Sequence, residues 1–135
     1  VLVQVERSSQ GPGDAAPVTV MTSVGTVPAF WGGNPEAAAG EHYIEWELDE
    51  EFRWEFNCSP VAVEEPRLFQ NERGVFCRGR LGLTGFEGAQ PFAHLELAGA
   101  MIDLGHIDGL PPGMDGEWIE INLSSEKIKI YPYQL

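Results

Sequence analysis

Glu41, Glu45, Glu47, Asp49, Glu50, Glu51, Glu55, Glu64 and Glu65 place nine of the chain's 21 acidic residues between positions 41 and 65, against a single base, Arg53. Carboxylates at this density can hold a cation, move protons or attract a basic surface. Proton transfer needs a cleft and shifted pKa values, and the abundance of acids singles out no acid–base pair. Cation binding needs oxygen ligands in a fixed order. Asp103, Asp108, Asp115 and Glu117 resemble a calcium loop in composition only, without the alternating ligands, central Gly and terminal Glu. Charge attraction is the chemistry left: a bank of like charges repels itself, and a partner carrying Lys and Arg relieves that repulsion.

The remaining reactive side chains lack productive spacing. His42, His94 and His106 stand in neither HxxxH nor HxH order, and Cys58 and Cys77 form neither a CxxC nor a zinc-ribbon pair. Two reduced, mostly buried thiols are expected, with a single disulfide as the alternative. Ser59, Ser124 and Ser125 lack a GxSxG elbow. The sequence therefore assigns no catalytic residue, no metal site and no cofactor. Arg67, Arg73, Arg78 and Arg80 make up half of the eight bases. No Gly-rich phosphate loop accompanies them, and they are expected to lie beside the acidic strands and neutralise part of them.

The elements that position these groups read as strands. Val1–Val5 and Val18–Val24 are β-branched and apolar, separated by a loop-rich segment over 8–17; a second loop-rich segment spans 32–41, where Pro35 opens one short helical turn. From His42 the alternation is strict, with His42, Ile44, Trp46 and Leu48 on one side and Tyr43, Glu45, Glu47 and Asp49 on the other. Phe52, Trp54 and Phe56 continue it, which predicts a hairpin with Asp49-Glu50-Glu51 at its tip and Glu45, Glu47 and Glu55 on one face. A short helix over 47–56 is the rival, since Leu48, Phe52 and Phe56 also recur at helical spacing. Short strands follow at 60–63, 67–69, 74–83, 91–97 and 101–104, then a Gly- and Pro-bent loop over 105–116. The close of the chain predicts a hairpin, with Ile119, Ile121 and Leu123 facing the same core as Ile128 and Ile130.

The expected fold is mainly β: one domain over residues 1–135, an antiparallel sandwich or small barrel, OB-like closure included, ending in a C-terminal β-hairpin. At 135 residues it buries roughly two-thirds of its unfolded surface. No apolar run reaches the roughly twenty residues that span a bilayer, so no membrane segment is expected. A formal charge of -13 repels a phosphate backbone, which argues against direct nucleic-acid binding. No signal-peptide pattern opens the chain, which tilts the expected compartment toward the cytoplasm. Nothing sets the oligomeric state.

Function follows from charge. The leading expectation is a protein-binding module that presents Glu45, Glu47, Asp49, Glu50, Glu51 and Glu55 to a basic protein partner, as inhibitory or immunity-like acidic proteins do by analogy of class. The alternative is a small-molecule or carbohydrate-binding barrel whose mouth is lined by Trp31, His106 and Trp118, with Trp31 in a Gly-rich loop and Trp118 on the outward side of its strand. An enzyme ranks third.

Overall fold

A computed structural model describes residues 2–8, 16–85 and 90–133, and it is built from strands, with no α-helix among them. The alternating segments become strands as expected. β1 (Leu2–Arg7) turns Val3 and Val5 inward, β2 (Ala16–Thr22) buries Ala16, Val18 and Val20, and β4 (Gly40–Leu48) buries Ile44 with Trp46 packed against the core. Between them lies β3 (Gly25–Trp31), which buries Val27, Ala29 and Trp31. Pro35–Ala37 forms one 3-10 turn, capped by Asn34, whose side chain accepts from the Glu36 N–H at 3.1 Å.

The last strand, β13 (Ile128–Pro132), closes the ring. It pairs in parallel with β3 (Lys129 opposite Phe30) and antiparallel with β4 (Ile130 opposite Trp46), while β4 also pairs with β1, β1 with β2, and β2 with β3. The result is a closed five-stranded mixed barrel, so barrel closure of the OB-like kind, rather than an open sandwich, organises the fold. Closure leaves β1, β2, β3, β4 and β13 without a free edge over the paired residues.

Residues between β4 and β13 build a second sheet. Its spine is β8 (Gly74–Thr84), flanked on one side by β12 (Trp118–Leu123) and on the other by β7 (Arg67–Asn71) and then β9 (Phe92–Leu97). β6 (Cys58–Pro60) extends it beyond β12, and β10 (Ala100–Gly105) beyond β9. β5 (Phe52–Arg53) and β11 (Ile107–Asp108) form a separate two-residue parallel pair. The 105–116 loop bends as expected, with Gly105, Gly109, Gly113 and Gly116 all at positive φ. One apolar core runs from the barrel valines through Leu68, Leu81 and Leu95 to Ile119 and Ile121.

Three expectations are corrected. The C-terminal hairpin does not form: β12 pairs with β6 and β8, β13 with β3 and β4, and the 3-10 turn Ser125–Lys127 carries the chain from one sheet to the other. The inward row of Ile119, Ile121, Leu123, Ile128 and Ile130 is nevertheless fully buried. The 42–56 hairpin does not form either, because both edges of β4 are taken by β1 and β13, and the rival helix is absent as well. β3, unassigned in the sequence reading, is the third: Gly25 and Pro28 interrupt its strand signature, yet it has partners on both sides. Of the expected 8–17 loop, Ala16 and Pro17 belong to β2 and residues 9–15 lie outside the described residues.

Candidate functional site

The acidic strand survives in part. On β4 the outward positions Glu41, Tyr43, Glu45 and Glu47 are all exposed, with His42, Ile44, Trp46 and Leu48 turned inward. Their lateral neighbours are Gln4 and Leu2 of β1, beside Glu41 and Tyr43, and Tyr131 and Lys129 of β13, beside Glu45 and Glu47. The Tyr131 hydroxyl donates to Glu47 Oε2 at 3.0 Å.

No arginine neutralises this row. Among the described residues the ion pairs are Arg53 with Asp108 at 3.4 Å and Arg78 with Glu120 at 3.1 Å, and His94 Nε2 lies 3.8 Å from Glu96 Oε1. Arg67 lies over the Phe69 ring at 4.5 Å, and Arg80 donates to the Gly116 carbonyl at 3.4 Å. The arginine cluster thus serves the second sheet, against the expectation that it would sit beside the acidic strands.

The other predicted acids go elsewhere. Asp49 donates its N–H to the Lys127 carbonyl at 2.8 Å, which makes 49–51 a connection leaving the barrel and not a hairpin tip. Asn57, a buried polar side chain, fixes the turn that follows: it accepts from the Arg53 N–H at 2.8 Å and donates to the Glu51 carbonyl at 2.9 Å. Glu55 sits in that turn at φ +66, unpaired with β4, and Phe56 is 80% exposed where strict alternation would bury it. Glu50 lines a polar cleft of about 600 Å³ with Phe56, Arg73 and Asn122. Glu45, Glu47 and Glu41 therefore form the coherent acidic row, and Glu55 is not on it.

Beside this row runs an open groove of about 780 Å³ between β4 and the β9–β10 hairpin, lined by Tyr43, Glu45, Gly99, Met101, Asp103 and Tyr133. Tyr43, Met101 and Tyr133 are 55%, 66% and 54% exposed, large side chains held in water at one place. Tyr133 is fixed there by its N–H, which donates to the Tyr43 carbonyl. Three large side chains exposed together, bordered by Glu45 and Asp103, make this the groove's apolar patch. Met101 and Tyr133 were not singled out from the sequence, and Asp103 was named there only for its calcium-loop-like composition. The available signal was the Ala98-Gly99 turn followed by Met101 and Asp103 alternating with buried Ile102 and Leu104.

The alternative ligand mouth is not assembled. Trp31 is 3% exposed, its indole N–H donating to the Asn34 carbonyl at 2.9 Å and its ring 4.7 Å from that of His42. His106 is exposed and stacked on Phe92 at 4.4 Å, with Nδ1 2.9 Å from the Pro91 carbonyl oxygen. Trp118 lines a separate, smaller groove of about 350 Å³ with Pro66, Arg80 and Ala100. No protein-family model, curated protein or solved structure matches this chain.

The cysteines are free and buried, and no group of three or more His, Cys, Asp or Glu could hold a metal ion among the described residues. Cys58 and Cys77 both lie opposite Ile121, one on each neighbouring strand. Two strand spacings separate them by about 9.5 Å, beyond the reach of a disulfide. Burial pushes the Cys58 thiol up to about 12, and burial followed by the Glu120 charge does the same for Cys77, against an ordinary 9.0. Unfolded thiols ionise above pH 9.0 while the folded ones keep their protons to about pH 12. The stability gained by keeping them neutral is complete below the unfolded value and falls as pH rises toward the folded one, by about 1.4 kcal/mol per pH unit for each thiol. Native protein at pH 8 should not react with a disulfide reagent until denaturant is added, and urea midpoints should drop steeply only on the alkaline side of the ordinary thiol range. Rapid native labelling would show that the thiols are not held in the core.

Proposed function

We propose that this chain is an acidic protein-binding module that engages a basic partner through the outward face of β4, acting as an inhibitor or immunity-like protein. The observation that carries the reading is the row Glu41, Glu45 and Glu47, exposed and in no ion pair among the described residues, with Lys129 beside Glu47 as its cationic cross-strand neighbour. Like charges in excess on one face cost folding free energy and gain it back against a surface of opposite sign. The adjoining groove adds what charge alone lacks. Tyr43, Tyr133 and Met101 supply desolvated contact area at its centre, and the carboxylates form a rim that steers association.

The test is affinity capture from the source cell with wild-type bait and with bait carrying both Glu45→Gln and Glu47→Gln. The wild-type bait is expected to recover a basic protein, with affinity for the purified pair falling about tenfold in the double variant, mostly through slower association. The complex should weaken as salt rises, because rim charges are screened. A partner bound equally by both baits and indifferent to salt would remove the reading.

A further inference from the structure

We propose that the free edge of β10 receives an extended, lysine- or arginine-bearing segment of the partner as an added strand inside the β4–β10 groove. This rests on the basic-partner reading and specifies how the partner is held. β10 is the terminal strand of its sheet, paired only with β9 among the described residues. The two join through Ala98-Gly99 at φ +49 and +85, the two left-handed residues of a tight hairpin, so Leu97 and Ala100 form the closing hydrogen-bonded pair. Alternation along an antiparallel ladder then leaves the Met101–Glu96 and Asp103–His94 pairs without mutual hydrogen bonds. The N–H and C=O groups of Met101 and Asp103 consequently point away from β9. Gly99, Met101 and Asp103 are also the β10-side residues that line the groove. These donors and acceptors have no backbone partner among the described residues, and an incoming strand could pair with them.

The groove's chemistry selects the occupant. A strand lying along β10 would turn alternate side chains toward β4, where Tyr43 offers a ring to the aliphatic stem of Lys or Arg and Glu45 offers a carboxylate to its head. Asp103 places a second carboxylate on the β10 side. A second copy of this chain is a poor occupant, because each carries a formal charge of -13. The bulge between Asp103 and Gly105 breaks the register, so the flat edge is limited to Ala100–Asp103 and accepts a short segment.

The experiment titrates the full isotope-labelled chain with two capped hexapeptides of equal charge, one alternating Lys with Val and one alternating Lys with Pro, at low salt. Proline cannot donate to a ladder, so the Lys–Val peptide is expected to bind about tenfold more tightly and to slow amide exchange at Met101 and Asp103. Met101→Pro, which removes one edge donor and no charge, should abolish the difference; the exchange protection in the unsubstituted chain tests the same point without any variant. Equal binding of the two peptides, with no protection at Met101 or Asp103, would defeat strand addition and leave the basic-partner reading standing. Failure of both peptides to bind would defeat both. An uncharged Thr–Val hexapeptide binding as tightly as Lys–Val would overturn the assignment of a basic occupant.

Discussion

Gly25→Ala is expected to destabilise the protein by about 3–5 kcal/mol, lowering the thermal midpoint by about 10–15 °C. Two costs combine at this position. The backbone sits at φ +143, which an L side chain rarely adopts, and an added Cβ would overlap the carbonyl oxygen of Leu68. That carbonyl is backbone and cannot swing aside. Gly25 faces Leu68 in the parallel bridge between β3 and β7, and the Leu68 N–H donates to the Val24 carbonyl at 3.0 Å, so the substitution wedges the second sheet off the barrel wall. Gly40→Ala separates the costs, since Gly40 lies at φ +119 with nothing within 4 Å of an added Cβ. It should lose only the conformational part, about 1–3 kcal/mol. Equal losses for the two variants, measured by urea denaturation, would mean that the Leu68 contact does not clamp the sheets together.

Arg78→Ala should cost about 2–4 kcal/mol, somewhat below the loss on breaking a fully buried pair. Arg78 approaches Glu120 Oε2 through Nε and Nη2, both at 3.1 Å, and the two side chains are only 15% and 18% exposed. Removing the guanidinium strands a half-buried carboxylate between strands, which is more damaging than losing the attraction itself. Replacing both partners with apolar residues, Arg78→Met with Glu120→Leu, is expected to restore most of the loss because neither charge then needs a partner. Arg53→Ala provides the contrast. Its pair with Asp108 is 69% and 74% exposed, and its removal should change stability by less than about 1 kcal/mol. A loss under 1 kcal/mol for Arg78→Ala as well would place that pair in the same solvated class.

The Gly25 position also bears on the groove. The barrel supplies one wall through Tyr43 and Glu45, and the second sheet supplies the other through Met101 and Asp103. Its width is therefore set by how the sheets are held together, and the Gly25–Leu68 bridge is one of the links that hold them. A groove built in this way is contained in no one element.

What the amino-acid order decided unaided was which side of each strand is apolar. Period two in Val3 and Val5, in Ile44 and Trp46, and in Ile119, Ile121 and Leu123 sorts side chains between oil and water wherever the strand is placed, and those inward rows hold in the fold. The bent 105–116 loop and the free, buried cysteines were legible for similar reasons, since glycine geometry and thiol burial depend little on distant neighbours. Strand partners were a matter for tertiary structure. The edges of a strand are backbone, nearly the same in every sequence, so adjacency in the chain suggested two hairpins that barrel closure replaced with β4 between β1 and β13 and β12 between β6 and β8. Lateral neighbours settle everything that depends on pairing: which acid Arg78 meets, why Glu55 leaves the acidic row, why Trp31 is interior, and where β10 keeps an unpaired edge. A side-chain pattern records contact with solvent along one chain, whereas a groove between two sheets exists only once segments distant in sequence have been brought face to face.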